Sequence, residues 1–195
     1  MRGLVPHPRY GAGVRDAGDV EGAKLAQQYY AGWARSGEAM FWESAIRADL
    51  GKQKYFVMPS LWYVDTLKRC RDCGRGFLFF AEEQRYWYEE LGFNVNADCV
   101  RCPECRKTER TLRRRFDRYS RLVGKKELPD AELGELVADA CFLWEEGILQ
   151  DAGKLRRLKN LARRRLAGEK VTAKIVRICE GLDVGKNERS GDLSG

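Results

Sequence analysis

The chain of 195 residues carries 36 Lys and Arg against 29 Asp and Glu, a formal net charge of +7, with His7 as its single histidine. One histidine rules out most Ser-His-Asp and Cys-His arrangements and leaves any metal site dependent on sulfur. No apolar run reaches the roughly 18 residues that span a bilayer, and Pro6 and Pro8 stand where a signal peptide needs an apolar core. The expectation is a cytoplasmic, water-soluble chain with no membrane partner, in which thiols stay reduced and clustered cysteines serve as metal ligands rather than disulfides.

Residues 1–22, rich in Gly, Pro and Arg, read as an extended or disordered arm that Tyr10 could dock on the body. Residues 23–62 read as a lead-in packing on the cysteine-rich segment C-terminal to it. Within them Leu25, Tyr29, Trp33, Phe41, Ile46 and Leu50 recur at helical spacings broken by Gly32, Ser36 and Gly37. The apolar runs Tyr55–Met58 and Leu61–Val64 flank Pro59-Ser60 as strands or extended segments.

After Cys73, Gly76–Phe80 reads as a short strand and Ala81–Leu91 as a helix with acidic residues in its first turn and Gly92 as its stop. Its aromatic residues, Trp87 among them, are expected to form the small core beside the cysteines. A basic helix runs from Pro103, placed where helix starts favour proline, through about Leu122. An acidic amphipathic helix follows from Asp130, then a second basic segment from Lys154 to Arg165, a short helix over Val171–Cys179 and a disordered tail over 181–195. Cys141 and Cys179 fall on apolar helix faces and read as core.

Five cysteines cluster as Cys70-x-x-Cys73 and Cys99-x-x-Cys102-x-x-Cys105, the spacing of a tetrahedral thiolate site. Five sulfurs compete for four positions. The turn of a C-x-x-C pair aims backbone N–H groups at the thiolates from just beyond the second cysteine. Gly74 after Cys73 suits such a turn, because glycine tolerates the left-handed conformation. Pairing Cys99 with Cys102 would put Pro103 where an N–H must donate, and proline has none. Pairing Cys102 with Cys105 puts Arg106 and Lys107 there. The expected ligands of one structural Zn2+ are therefore Cys70, Cys73, Cys102 and Cys105, with Cys99 as spare or substitute. Arg69, Arg71, Arg101 and Arg106 stand ready to offset the net −2 charge that four thiolates leave on Zn2+.

Tyr63-Val64-Asp65, Cys70-Arg71-Asp72-Cys73-Gly74, Phe77–Gln84, Tyr86-Trp87-Tyr88, Leu91-Gly92-Phe93 and Arg101–Lys107 together resemble the bacterial "probable zinc-ribbon domain" family. Upstream, Ala45–Gln53 and Pro8-Arg9-Tyr10-Gly11 look like longer members of it, whereas Cys99 lies outside its pattern. The resemblance covers about residues 63–107 and implies a zinc ribbon and zinc binding, with little about biological role. The expected fold is α+β: a small four-cysteine zinc ribbon with an inserted helix over 63–107, then a mainly α-helical region over 108–180.

A site closed by four sulfurs leaves no open position for water or substrate, so no enzymatic activity and no small-molecule substrate is expected, and thiol redox work by Cys70 and Cys73 is the least favoured reading. Two functions compete. The first is nucleic-acid or ribonucleoprotein binding through Arg106, Lys107, Arg110, Arg113, Arg114 and Arg118, with Trp87 available for stacking. The second is a protein-interaction or scaffold module in which the acidic helix covers the basic segments. A contiguous basic face favours the first, and mutually covered charges favour the second.

Overall fold

The computed structural model describes residues 3–31 and 39–190, with side chains through Leu182. The chain divides into two compact units, Met1–Thr108 and Glu109–Gly195.

The N-terminal unit is built on a three-stranded antiparallel sheet of order β1-β2-β3, with β1 at Ala39–Arg47, β2 at Trp62–Arg69 and β3 at Gly76–Phe79. Helix α1, Val20–Tyr30, starts at Asp19, whose carboxylate accepts the Gly22 N–H. Central β2 is covered on both faces. Trp62 and Val64 pack with Ala26 of α1 and Ala45 of β1, while Tyr63 joins Phe77, Phe79, Tyr88 and the cysteines on the other side. Burial on both faces explains why Trp62-Tyr63-Val64 is apolar without alternation.

Helical spacing over Phe41–Leu50 misleads, because Ala39–Arg47 is a strand. Its pairing with β2 shifts register between Phe41 and Ile46, a bulge that breaks the period of two. Ser44 supplies the bonds lost there: its Oγ donates to Phe41 O and accepts the Asp65 N–H, each at 2.6 Å. The breaks expected at Gly32, Ser36 and Gly37, and Trp33 with them, lie outside the described residues.

The arm is an integral part of this unit. Val5 bridges Phe77 in parallel, and Tyr10 stacks on His7 and packs against Phe80. Fully buried Asp65 ties three pieces together, accepting the N–H of Ala81 at 2.7 Å and of Arg15 at 3.0 Å. The Ala81 bond serves an otherwise orphaned donor at the start of helix α2, Ala81–Arg85. The helix then widens into a π-helical turn over Tyr86–Glu90, closed by Leu91 N to Tyr86 O at 3.0 Å. Gly92 follows at φ 66°, the left-handed stop its residue type allows.

Helix α3, Pro103–Val123, contains the boundary between the units. In the C-terminal unit it is followed by α4 at Asp130–Glu145, α5 at Ala152–Arg165 and α6 at Lys170–Ser190. Their shared core holds Tyr119, Leu122, Leu136, Leu155 and Ile175, together with Cys141 and Cys179, both fully buried. Helix α6 outruns the expected Val171–Cys179. Once Ile175, Cys179 and Leu182 anchor it, each added residue gains a hydrogen bond without a new nucleation cost.

Candidate metal centre

The first cysteine pair sits in the tight turn between β2 and β3. Gly74 N donates to Cys70 O at 2.9 Å and Cys70 N to Arg75 O at 2.9 Å, with Gly74 at φ 70°. The left-handed glycine lets the chain reverse in four residues, which turns Cys70 and Cys73 to one side. The second pair is on the first turn of α3: Cys102 immediately precedes Pro103, and its Sγ accepts the Cys105 N–H at 3.5 Å. The sulfur thus takes the place of a helix-capping oxygen, and the positive end of the helix dipole faces the thiolates.

The Sγ atoms of Cys70, Cys73, Cys102 and Cys105 all lie within 4.8 Å of one another. Zn–S bonds of about 2.3 Å separate tetrahedral sulfurs by roughly 3.8 Å, and the Cys73 and Cys102 sulfurs are 3.8 Å apart. The donor set therefore fits one structural Zn2+. Cys99 is buried, but it is not one of the four, and its Sγ points to Arg101 O at 3.5 Å. Burial pushes the Cys99 thiol up to about 12.

Burial opposes ionisation of Cys70, yet the backbone N–H groups of Cys73, Cys102 and Asp72 outweigh it and bring the thiol down to about 6. Cys102 and Cys105 are pushed up, first by burial and then by the neighbouring sulfurs. Four thiolates this close need a cation between them, and zinc binding therefore releases protons.

The arginines divide by role. Arg101 pairs with Asp72 at 2.7 Å, and Arg71 reaches the same carboxylate at 3.9 Å. Arg106 is drawn away from solvent: its guanidinium meets buried Glu83 and lies 5.3 Å from the centre of the Trp87 ring. Arg75, which sequence reasoning missed, is the arginine that hydrogen-bonds Cys73, and it also pairs with Glu104. Its position one residue past the glycine of the turn was the available signal. Trp87 is only partly exposed, with Phe79, Phe93 and Arg106 packed around it.

The other basic positions divide similarly. Arg118 pairs with Asp139 and Glu135, and Arg115 also binds Asp139. Lys107, Arg110, Arg113 and Arg114 are exposed. No described helix is long and apolar enough to cross a membrane.

A zinc ribbon would carry its second cysteine pair in another hairpin turn. Here Pro103 starts a helix at that point, and the third and fourth sulfurs ride on its first turn. A family model described as "Probable treble clef domain" matches residues 64–114, about a quarter of the chain. No curated protein and no solved structure matches the chain. With four sulfurs filling the coordination shell the centre is structural and not catalytic, and residues 64–114 form a small cysteine-rich zinc-binding domain of the treble-clef kind.

Proposed function

We propose that Zn2+ held by Cys70, Cys73, Cys102 and Cys105, with Cys99 outside the shell, secures the start of a basic helix whose exposed edge contacts nucleic acid or a ribonucleoprotein. The observation that carries this reading is the division of cations along α3. Arg106, Arg115 and Arg118 are committed to the internal carboxylates Glu83 and Asp139. Lys107, Arg113, Arg114 and Arg121 are exposed and enter no ion pair among the described residues. At the helical repeat Arg110, Arg114 and Arg121 fall on one stripe, and Asp117 is the carboxylate that interrupts it. Arg106 and Arg118 thereby leave the proposed contact set, and Arg121 joins it.

The test is titration of labelled single- and double-stranded RNA and DNA with the zinc-loaded chain at about 50 mM and about 200 mM salt. Four duplex phosphate contacts would weaken by roughly a hundredfold across that range, and an Arg113→Glu, Arg114→Glu double variant should lose most of the affinity. Absence of any salt-sensitive shift at the lower concentration sinks the reading.

A second reading, a protein-interaction module with no nucleic-acid binding, draws on different observations. Acidic α4 covers several cations, through Lys125–Glu132, Arg165–Asp130 and Lys174–Glu145. In the N-terminal unit Phe56 and Val57 are 87% and 84% exposed at the tip of one loop, an apolar projection that a protein groove would cover.

A further inference from the structure

We propose that a cleft in the N-terminal unit binds a single nucleobase: a neutral, flat heteroaromatic ring with an exocyclic amino group beside a ring acceptor. The cleft has a volume of about 190 Å³ and is lined by residues of all three strands, α1 and α2. That exceeds the roughly 150 Å³ of a protein cavity known to take benzene, so one or two fused rings are the right size.

The walls select a flat ring. Tyr29, Tyr30, Phe79 and Tyr88 all border the space. The three tyrosine hydroxyls donate to backbone carbonyls, Tyr29 to Pro59, Tyr30 to Trp62 and Tyr88 to Ala97, at 2.9, 2.6 and 2.7 Å. Bonds that hold the polar tips to the backbone hold the rings in place as well, and such preset aromatic surfaces stack on heteroaromatic bases.

The floor selects the polar edge of the ligand. Gln84 is 9% exposed, and its Nε2 donates to both Val64 O at 2.6 Å and Phe79 O at 2.9 Å. Those two bonds fix which way the amide points, because a flip would set oxygen against two carbonyls. Its Oε1 is then an acceptor bordering the cleft, and it takes no hydrogen bond from any described residue. The oxygen is open to the cleft, so a ligand N–H there would replace water as its donor. Thr66 lines the same floor and spends its hydroxyl proton on Val64 O at 3.0 Å, so its oxygen too faces the space as an acceptor.

Beside them the Lys68 ammonium and the Asp98 carboxylate meet at 2.6 Å, with the Lys68 side chain only 7% exposed. The pair is balanced in charge, which disfavours an ionic ligand of either sign. It places a cationic donor near the acceptors of Gln84 and Thr66. A ligand that offers an N–H to Gln84 Oε1 and a lone pair towards Lys68 satisfies both, and the amino and ring-nitrogen edge of adenine or cytosine has that pattern. The base could come from a free nucleoside or from an unstacked position in a single strand, and the second source rests on the nucleic-acid reading above.

The zinc-loaded full chain is to be titrated by calorimetry with adenosine, cytidine and purine riboside, which lacks the amino group. Adenosine and cytidine should bind roughly tenfold more tightly than purine riboside, the worth of the Gln84 contact. Ala97→Leu fills the cleft while keeping the two backbone bonds of residue 97, from Tyr88 Oη and to Asn94 O, and should abolish binding with zinc content and circular dichroism unchanged. Equal binding of purine riboside, binding that survives Ala97→Leu, or no nucleoside binding at millimolar concentration overturns the proposal. A single strand bound equally by wild type and Ala97→Leu, without nucleoside binding, removes the cleft and leaves the nucleic-acid reading in place. Nucleoside binding without any polymer binding supports the cleft and removes that reading.

Discussion

Arg118 grips Asp139 side-on, its Nε 2.6 Å from Oδ2 and its Nη2 2.8 Å from Oδ1, and Asp139 is wholly buried. Arg115 adds a donor to Oδ1 at 3.1 Å and lays its guanidinium over the Phe142 ring. A carboxylate removed from water is tolerable only with partners of this quality. Arg118→Ala should destabilise the C-terminal unit by about 2–3 kcal/mol, because Asp139 stays behind with one cation. Urea unfolding followed by far-ultraviolet circular dichroism checks it, and a loss below about 0.5 kcal/mol would mean that water already reaches the pair.

Arg106 and Arg113 stand on one helix with opposite expected phenotypes. Arg106→Ala leaves Glu83, which is 6% exposed, without its guanidinium, and should cost about 2–3 kcal/mol with nucleic-acid affinity unchanged. Exposed Arg113→Ala should change stability by less than about 0.5 kcal/mol yet weaken polymer binding. Paired unfolding and titration measurements separate the two, and equal stability losses would contradict the division of roles.

Cys70→Ser and Cys105→Ser should each release zinc and unfold the treble-clef segment, since the binding energy of a structural zinc is folding energy. Cys99→Ser should keep one zinc per chain, because that sulfur lies outside the cluster. Metal analysis of the purified variants decides it, and zinc loss in the Cys99 variant would reverse the ligand assignment. Gly74→Ala should cost about 1 kcal/mol without loss of metal: its φ is 70° and an added Cβ meets no atom within 4 Å, so the penalty is conformational.

His7 makes the docking of the arm depend on pH. Its Nδ1 accepts the N–H groups of Arg9 at 3.1 Å and Tyr10 at 3.2 Å, and its Nε2 lies 3.5 Å from Glu83. Burial, aided by the Arg106 and Arg9 charges, holds the imidazole below its usual 6.5, although Glu83 pulls the other way. Above 6.5 both the folded and the unfolded states are neutral there, and stability is complete. Below 6.5 the unfolded chain takes up a proton before the folded one, and stability falls until the folded pKa is passed. The unfolding midpoint in urea should drop between pH 7 and pH 5 by more in wild type than in His7→Gln. Zinc release affects both proteins alike, so equal slopes would remove His7 from the account.

Much of the candidate site was legible in the residues. The C-x-x-C spacing marked the metal chemistry, and Gly74 marked the left-handed turn. Less legible were the bulge that hides β1 behind helical spacing, the Gln84 amide locked between two strands, and the fates of the arginines. A cation on a helix looks the same in sequence whether a buried carboxylate awaits it or not. The partners of Arg106 and Arg118 lie 23 and 21 positions away.

By itself, then, the sequence determined the local chemistry: that clustered sulfurs can share a cation, where α2, α3 and α4 start, and that the chain is strongly basic. Those properties depend on near neighbours, on proline and glycine geometry and on composition. Only the tertiary structure decided how Phe79, Phe93 and Arg106 pack around Trp87 and which cations of α3 remain outside. Those outcomes depend on desolvation and on contacts between distant residues, which no local spacing encodes.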